Sequence, residues 1–206
     1  PELIITETDR RIRVYRNFTP GASPVMSLWM QSIDLTERVT SQAMLADLNG
    51  DGTPEIIAGN EIFIFDFTGP AAPTLRKILD GGNGPAGVAT YDALSNPHAL
   101  CSPAVADLLT PADCNGDPDC NGLELAAGPI IYSIDLDSTD GDGVELKIMR
   151  DLNQMNLSDE FRDGVTAIAD MNIDGIPDMV TFAKVRIGAD PLQYGLYVWN
   201  KNGLIQ

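Results

Sequence analysis

Apolar residues along this chain come in short runs closed by Gly, Pro or acidic turns. Leu3-Ile4-Ile5, Ile62-Phe63-Ile64-Phe65 and Ile130-Ile131-Tyr132-Ser133-Ile134 are β-branched or aromatic runs, too short for helices. Further strands are predicted at Thr74 to Leu79 and at Val144 to Met149. The segment DSTDGDG before Val144 reads as a hairpin turn. The single helical prediction is a short one near Ser158 to Arg162.

The runs recur as a unit. AMLADLNGDGTPEIIAGNEIFIFDFTG from Ala43, PAVADLLTPADCNGDPDCNGLELAAGPIIYSIDLD from Pro103 and TAIADMNIDGIPDMVTFAKV from Thr166 share one order: apolar strand, Ala-Asp, acidic loop, acidic residue, apolar strand. The opening residues PELIITETDRRIRVYRNF match the half of the unit after the loop. The acidic residue closing each loop sets the period. Glu2, Glu55, Glu124 and Asp178 are separated by 53, 69 and 54 residues. Asp47 to Glu55 is 8 positions and Asp107 to Glu124 is 17, so the third unit carries nine inserted residues in its loop. The boundaries fall near 1–40, 41–84, 85–152 and 153–206, with the first unit lacking its opening strand and loop. Four strands per unit at a period of about 50 residues is the pattern of propeller blades, so the expected fold is all-β.

The loops carry the candidate chemistry. Asp47, Asn49, Asp51, Gly52 and Glu55 stand at positions 1, 3, 5, 6 and 9 of one loop; Asp170, Asn172, Asp174, Gly175 and Asp178 stand at the same positions of another. Side-chain oxygens at 1, 3 and 5 converge when such a loop curls, glycine at 6 permits the reversal, and the carbonyl at 7 and carboxylate at 9 close the shell. Hard oxygens with three formal negative charges suit Ca²⁺. An EF-hand would need Glu at position 12, where this chain has Ala58 and Thr181 in strand-like runs. In the inserted loop, Asp107, Asp113, Asn115, Asp117, Asp119, Asn121 and Glu124 offer several registers for an ion, with none singled out. Ordinary Asp/Gly turns are the competing reading for any one loop; the shared nine-position spacing favours the ion.

The segments ADLNGDGTPEIIAGN and IADMNIDGIPDMV resemble the FG-GAP/VCBS-type repeats of integrin α-subunit propellers and of many secreted bacterial proteins. The likeness covers nearly the whole chain in four units. It implies a β-propeller, commonly of seven blades, with a calcium loop between the first two strands of a blade. Carried over by position, the ligands are Asp47, Asn49, Asp51, the Thr53 carbonyl and Glu55, and Asp170, Asn172, Asp174, the Ile176 carbonyl and Asp178. The insertion breaks the carry-over in the middle loop. The function implied is an extracellular calcium-binding module, secreted or at a cell surface. Its role would be structural, adhesive or protein-interacting and not enzymatic. The alternative is part of a calcium-dependent propeller polysaccharide lyase, or a carbohydrate-binding protein.

Composition narrows the partners. The chain has 206 residues and a formal net charge of −17, which repels phosphate backbones and argues against nucleic acid. It has no apolar run of 18 residues to span a membrane. Cys114 and Cys120 flank the tight loop NGDPD and are expected to form a disulfide; Cys101 is left over or is the partner of one of them. One histidine, His98, and no CxxC pair argue against zinc. No nucleophile elbow, HExxH, P-loop or dinucleotide fingerprint is present. Trp29 and Trp199 read as blade core, with sugar stacking as the other use. Arg10, Arg11, Arg13 and Arg16 form the basic cluster, a solvated face or a contact for an acidic neighbour. Both ends of the chain fall inside a unit, so an incomplete propeller is expected. Its partners would be further blades of the same polypeptide or another subunit, with a protein or glycan ligand possible.

Overall fold

The computed structural model describes residues 2–7, 11–19, 25–32, 35, 43–59, 61–68, 73–80, 102–117, 120, 122–136 and 145–205. It consists of four small antiparallel sheets arranged like the blades of a four-bladed β-propeller. Blade 1 has three strands, β1 (Leu3–Glu7), β2 (Arg11–Thr19) and β3 (Val25–Gln31), paired in that order. Blade 2 holds β4 (Met44–Ala46), β5 (Glu55–Ala58), β6 (Glu61–Asp66) and β7 (Thr74–Asp80). Blade 3 holds β8 (Ala104–Ala106), β9 (Glu124–Ala127), β10 (Ile130–Asp135) and β11 (Glu145–Asp151). Blade 4 holds β12 (Glu160–Ala169), β13 (Asp178–Arg186), β14 (Gln193–Asn200) and β15 (Gly203–Leu204). The expected strand and loop order is therefore observed, and β1 takes the place of β5, β9 and β13. The expected hairpin turn at 137–143, the connector at 81–98, His98, Cys101 and Arg10 lie outside the described residues.

The helix expected near Ser158 to Arg162 is not there. One helical turn, α1 (Leu152–Met155), precedes it, and Glu160 already begins β12. Asp151 caps α1 by accepting from the Asn153 N–H at 2.9 Å, and the Asn156 N–H closes it on the Leu152 carbonyl. Phe161 is buried against Tyr197, with ring centroids 5.0 Å apart, so this stretch is recruited into the sheet by packing. Gly164 allows β12 to approach β13: a Cβ there would sit 2.1 Å from the Phe182 carbonyl oxygen.

Strand register explains how the blades stack. The residue after each unit's acidic position lies opposite an aromatic residue of the next strand: Leu3 and Tyr15, Ile56 and Phe63, Leu125 and Tyr132, Met179 and Trp199. The following residue lies opposite an aliphatic one: Ile4 and Val14, Ile57 and Ile62, Ala126 and Ile131, Val180 and Val198. Successive side chains in a strand point to opposite faces, so each blade has an aromatic rear and an aliphatic front. The rear of one blade packs on the front of the blade before it. Ile56 and Phe63 meet Ile12 and Val14; Leu125 and Tyr132 meet Ile57 and Ile62; Met179 and Trp199 meet Ala126 and Ile131. Three hydrophobic clusters thus join blades 1 to 2, 2 to 3 and 3 to 4, and among the described residues none joins blade 4 to blade 1.

Backbone bonds add to the last of these junctions. Ser102 forms a parallel bridge to Val165, donating to the Gly164 carbonyl at 3.0 Å and accepting from the Thr166 N–H at 2.8 Å. The indole N–H of Trp199 donates to the Gly128 carbonyl at 3.2 Å, so this tryptophan is blade core and closed to a sugar.

If rear-on-front packing holds the blades together, position should decide the cost of truncation. Leu125→Ala removes a fully buried side chain and should cost about 2–5 kcal/mol. Leu3→Ala, at the same place in blade 1 but 46% exposed, should cost a fraction of that. Urea denaturation of both variants checks this, and equal losses would contradict it.

Candidate metal centre

Each complete blade turns sharply between its first and second strands, and the acidic residues stand in that turn. In blade 2 Asp47 follows β4 directly and its Oδ2 accepts from the Gly52 N–H at 2.9 Å. Asn49 Oδ1 accepts from the Asp51 N–H at 3.0 Å, and Asp51 Oδ1 from the Thr53 N–H at 2.7 Å. Blade 4 repeats the scheme with Asp170 and the Gly175 N–H at 2.9 Å, Asn172 and the Asp174 N–H at 3.1 Å, and Asp174 and the Ile176 N–H at 2.8 Å. Gly52 and Gly175 take the left-handed backbone the turn demands, with φ of 86° and 84°. Position 4 is left-handed too. It is Gly50 in one loop and Ile173 in the other, where a β-branched side chain is held at φ 61° and stands 90% exposed.

Position 9 has a structural task that the spacing did not reveal. Glu55, Glu124 and Asp178 are all buried, and each accepts the N–H of the residue after position 1. The bonds run from Leu48 to Glu55 at 2.8 Å, from Leu108 to Glu124 at 2.6 Å, and from Met171 to Asp178 at 2.9 Å. The acid thereby ties the start of its loop to the second strand, in all three blades and across the nine-residue insertion. Asn200 donates to the other oxygen of Asp178 at 3.0 Å. Burial raises the Glu55 carboxyl above its ordinary value, and the charges of Asp51 and Asp47 push in the same direction. Burial likewise raises Glu124, with Asp107 adding to it, while the N–H bonds of Leu108 and Leu109 act against the shift.

The side-chain oxygens of these loops are largely held by the loops' own N–H donors. Among the described residues, no three His, Cys, Asp or Glu side chains stand close enough together to hold a metal ion. The donor set nonetheless fits a hard cation. Every side chain of the two regular loops that faced this role supplies oxygen, and a carboxylate oxygen that accepts one N–H keeps a second lone pair. Asp47 Oδ1 is buried and has no hydrogen-bond partner.

The inserted loop is built differently. Asp107 is exposed beyond β8. Asp113 accepts from the Thr110 N–H at 2.8 Å and the Thr110 hydroxyl at 2.6 Å, and its Oδ2 also accepts from Lys201 Nζ at 2.5 Å. Arg150 adds an ion pair to Asp113 at 3.5 Å, and Lys147 pairs with Asp117. Asn115 is exposed at φ 51°, while Asp119 and Asn121 lie outside the described residues. Cys114 and Cys120 are joined, with Sγ atoms 2.04 Å apart, as expected from the loop they flank. The cations on Asp113 and Asp117 come from β11 and from the turn after β14, residues that lie 30 to 88 positions away and carry no local pattern.

A cavity of about 350 Å³ opens beside the blade 2 loop, lined by Asn49, Asp51, Thr53, Phe65, Phe67 and Arg76 among others. Phe67 is exposed and stacks near Phe65 at 6.4 Å, and Trp29 of blade 1 lies 6.3 Å from it under the Arg16 guanidinium. The aromatic group was not expected from the sequence. Its only local trace is the alternation Phe63, Phe65, Phe67, which sends Phe65 and Phe67 out past the buried part of the strand.

The Lys201 hydrogen bond, followed by those of Thr110, holds the Asp113 carboxyl well below its ordinary value of 3.8. A carboxyl depressed in the folded state contributes stability above its ordinary value, and loses it as pH falls toward the folded one. Lys201→Met should therefore reduce stability at neutral pH and flatten the loss of stability below pH 3.8. Denaturation midpoints across an acid series check the slope; an unchanged profile would contradict the pairing.

Compared with protein-family models, curated proteins and solved structures, the chain matches none.

Proposed function

We propose that this chain is an extracellular, calcium-binding β-propeller module with a non-catalytic role in structure, adhesion or protein interaction. The observation that carries the reading is the repetition of one oxygen-rich loop in blades 2 and 4, alike in sequence, hydrogen bonding and backbone. Three further features support it. Asp47 Oδ1 is buried without a partner, which costs free energy until something binds it. Ile173 keeps a left-handed backbone on a fully solvated side chain, strain that packing does not explain. Glu55 is raised chiefly by burial, and the like charges of Asp51 and Asp47 add to it; a cation would relieve that repulsion.

In this reading Asp47, Asn49, Asp51, the Thr53 carbonyl and Glu55 hold one ion. Asp170, Asn172, Asp174, the Ile176 carbonyl and Asp178 hold the other. A bound cation would supply electrostatic cross-linking of the loop. The chain's own contribution is to set the turn with glycine and to tie the loop to its strand through the position 9 acid. The cysteine pair supports an oxidising compartment, hence secretion or a cell surface.

Thermal melts in calcium and in EGTA test this. Binding to the native state alone at 100 times Kd adds about 2.7 kcal/mol per site, so the midpoint should rise with calcium. Calorimetric titration should count one ion fewer in Asp51→Ala. Identical midpoints and no heat of binding would dismiss the calcium.

A carbohydrate-binding role is the second reading, favoured by the cavity beside the blade 2 loop and its aromatic group. An exposed aromatic ring with a guanidinium and amide nearby suits the apolar face and hydroxyls of a sugar. Titration with neutral and uronic-acid polysaccharides should then show binding that Phe67→Ala weakens at least tenfold. Equal binding by parent and variant would place any sugar elsewhere.

A further inference from the structure

Blades 2 and 3 match strand for strand, and they differ beside their loops. Phe63 of β6 and Tyr132 of β10 hold the same place, opposite Ile56 and Leu125. Three residues further on, Asp66 pairs with Thr74 and Asp135 with Glu145, which sets Arg76 of β7 level with Lys147 of β11. In blade 3 that cation is answered from within the chain, because Lys147 pairs with Asp117 of the insert. Asp117 is carried there at the end of a tight turn. Its N–H donates to the Cys114 carbonyl at 2.9 Å, and the two residues between, Asn115 and Gly116, have φ of 51° and 82°. Two left-handed residues in succession are what an Asn-Gly turn supplies. The loop of blade 2 is nine residues shorter and carries no such turn. In its stead the cavity of about 350 Å³ is lined by Arg76, by Asn49, Asp51 and Thr53 of the loop, and by the apolar Ile64 and Leu136.

We infer that the cavity beside the blade 2 loop binds an acidic turn of a protein partner, whose carboxylate takes on Arg76 the place that Asp117 takes on Lys147 in blade 3. The inference rests on the protein-interaction reading of the module and names the chemistry of the partner: Asp or Glu at the end of a tight polar turn. The hydrogen bonds around the cavity favour this charge. Its acids are tied into their own loop: Asp51 accepts from the Thr53 N–H at 2.7 Å and from the Asn49 side-chain amide at 3.3 Å, and Glu55 accepts from the Leu48 N–H at 2.8 Å. The Arg76 guanidinium is more than half exposed, and its ion-pair partner among the described residues is Asp66 at 3.5 Å. A guanidinium has five N–H donors and grips a carboxylate with two of them at once. The cavity therefore lacks an acceptor for Arg76. A turn of polypeptide is favoured over an acidic sugar because a turn of polypeptide meets the matching cation of blade 3.

The probe is a disulfide-closed peptide with the sequence of residues 114–120, CNGDPDC. It is titrated into the full chain with calcium present. At about 0.15 M salt the Debye length is about 8 Å, which screens the long-range repulsion of a chain of charge −17. The parent should bind the peptide. Arg76→Gln should weaken binding about tenfold or more, as should the Asp117→Asn form of the peptide, and Arg76→Lys should keep part of the affinity. The calcium response of the thermal midpoint should be the same in Arg76→Gln as in the parent. That response in the parent judges the calcium module by itself, so the two readings fail separately. No binding of the peptide by the parent would overturn the inference, as would equal binding by Arg76→Gln. A calcium response lost together with peptide binding in Arg76→Gln would place the effect in the loop and overturn the contact. A uronic-acid oligosaccharide bound through Arg76 where the peptide is not would give the cavity to a sugar.

Discussion

Every blade of this molecule is too thin to keep water from its own residues, and that constraint shapes the rest. A four-stranded sheet has two faces, and here both are apolar at the centre. Ile56 and Ile57, or Leu125 and Ala126, are neighbours in sequence, point in opposite directions and are both fully buried. A blade therefore cannot be stable alone. Its apolar faces need covering, and the three hydrophobic clusters between consecutive blades cover both faces of blades 2 and 3 and one face of blades 1 and 4. The large residues lie on the rear face and the smaller ones on the front, so consecutive blades interdigitate instead of clashing.

The acidic loops depend on this stacking. Glu55 and Glu124 sit at the first residue of a fully buried strand and Asp178 at the buried start of β13, so each carries a carboxylate to the edge of an apolar layer. A carboxylate in that place must be hydrogen-bonded, and the N–H of the residue after position 1 is the donor used in all three blades. The same bond ties the loop to the sheet end, where the side chains of positions 1, 3 and 5 accept N–H bonds of the loop itself. The blade core thus creates the demand that the acid answers, and the acid in turn orders the candidate cation loop.

The inserted loop shows what happens when the nine-position spacing is lost. Glu124 still ties the loop start, and it gains a second N–H from Leu109 at 3.1 Å. The extra residues are held by other means: a disulfide between Cys114 and Cys120, and ion pairs from Asp113 and Asp117 to lysine and arginine of blade 3 and the end of blade 4. Lys201 thereby joins the blade 3 insert to blade 4, adding a polar bond to the hydrophobic junction. Acidic loops are thus held in two ways, the regular pair around their own backbone donors and the inserted one around side-chain cations.

Much of this could be read from the residues in order. The repeat, the strand sequence within it, the missing opening strand of the first unit and the cysteine pair were all legible, because each rests on local spacing or on the period-2 pattern of a strand. The helical segment was misplaced by half a dozen residues because Phe161 is claimed by Tyr197, a partner 36 positions further on. The position 9 acids could be identified, but not their work, since an N–H donor leaves no mark in a sequence. Likewise, the short apolar runs marked the strands of each unit, and nothing local says which neighbour covers which face. Only the tertiary structure could pair Met179 with the front of blade 3, set Lys201 on Asp113, and leave Leu3 and Leu196 uncovered. Those outcomes depend on contacts between residues tens of positions apart, and the chain's local pattern is the same whether such a face is buried or bare.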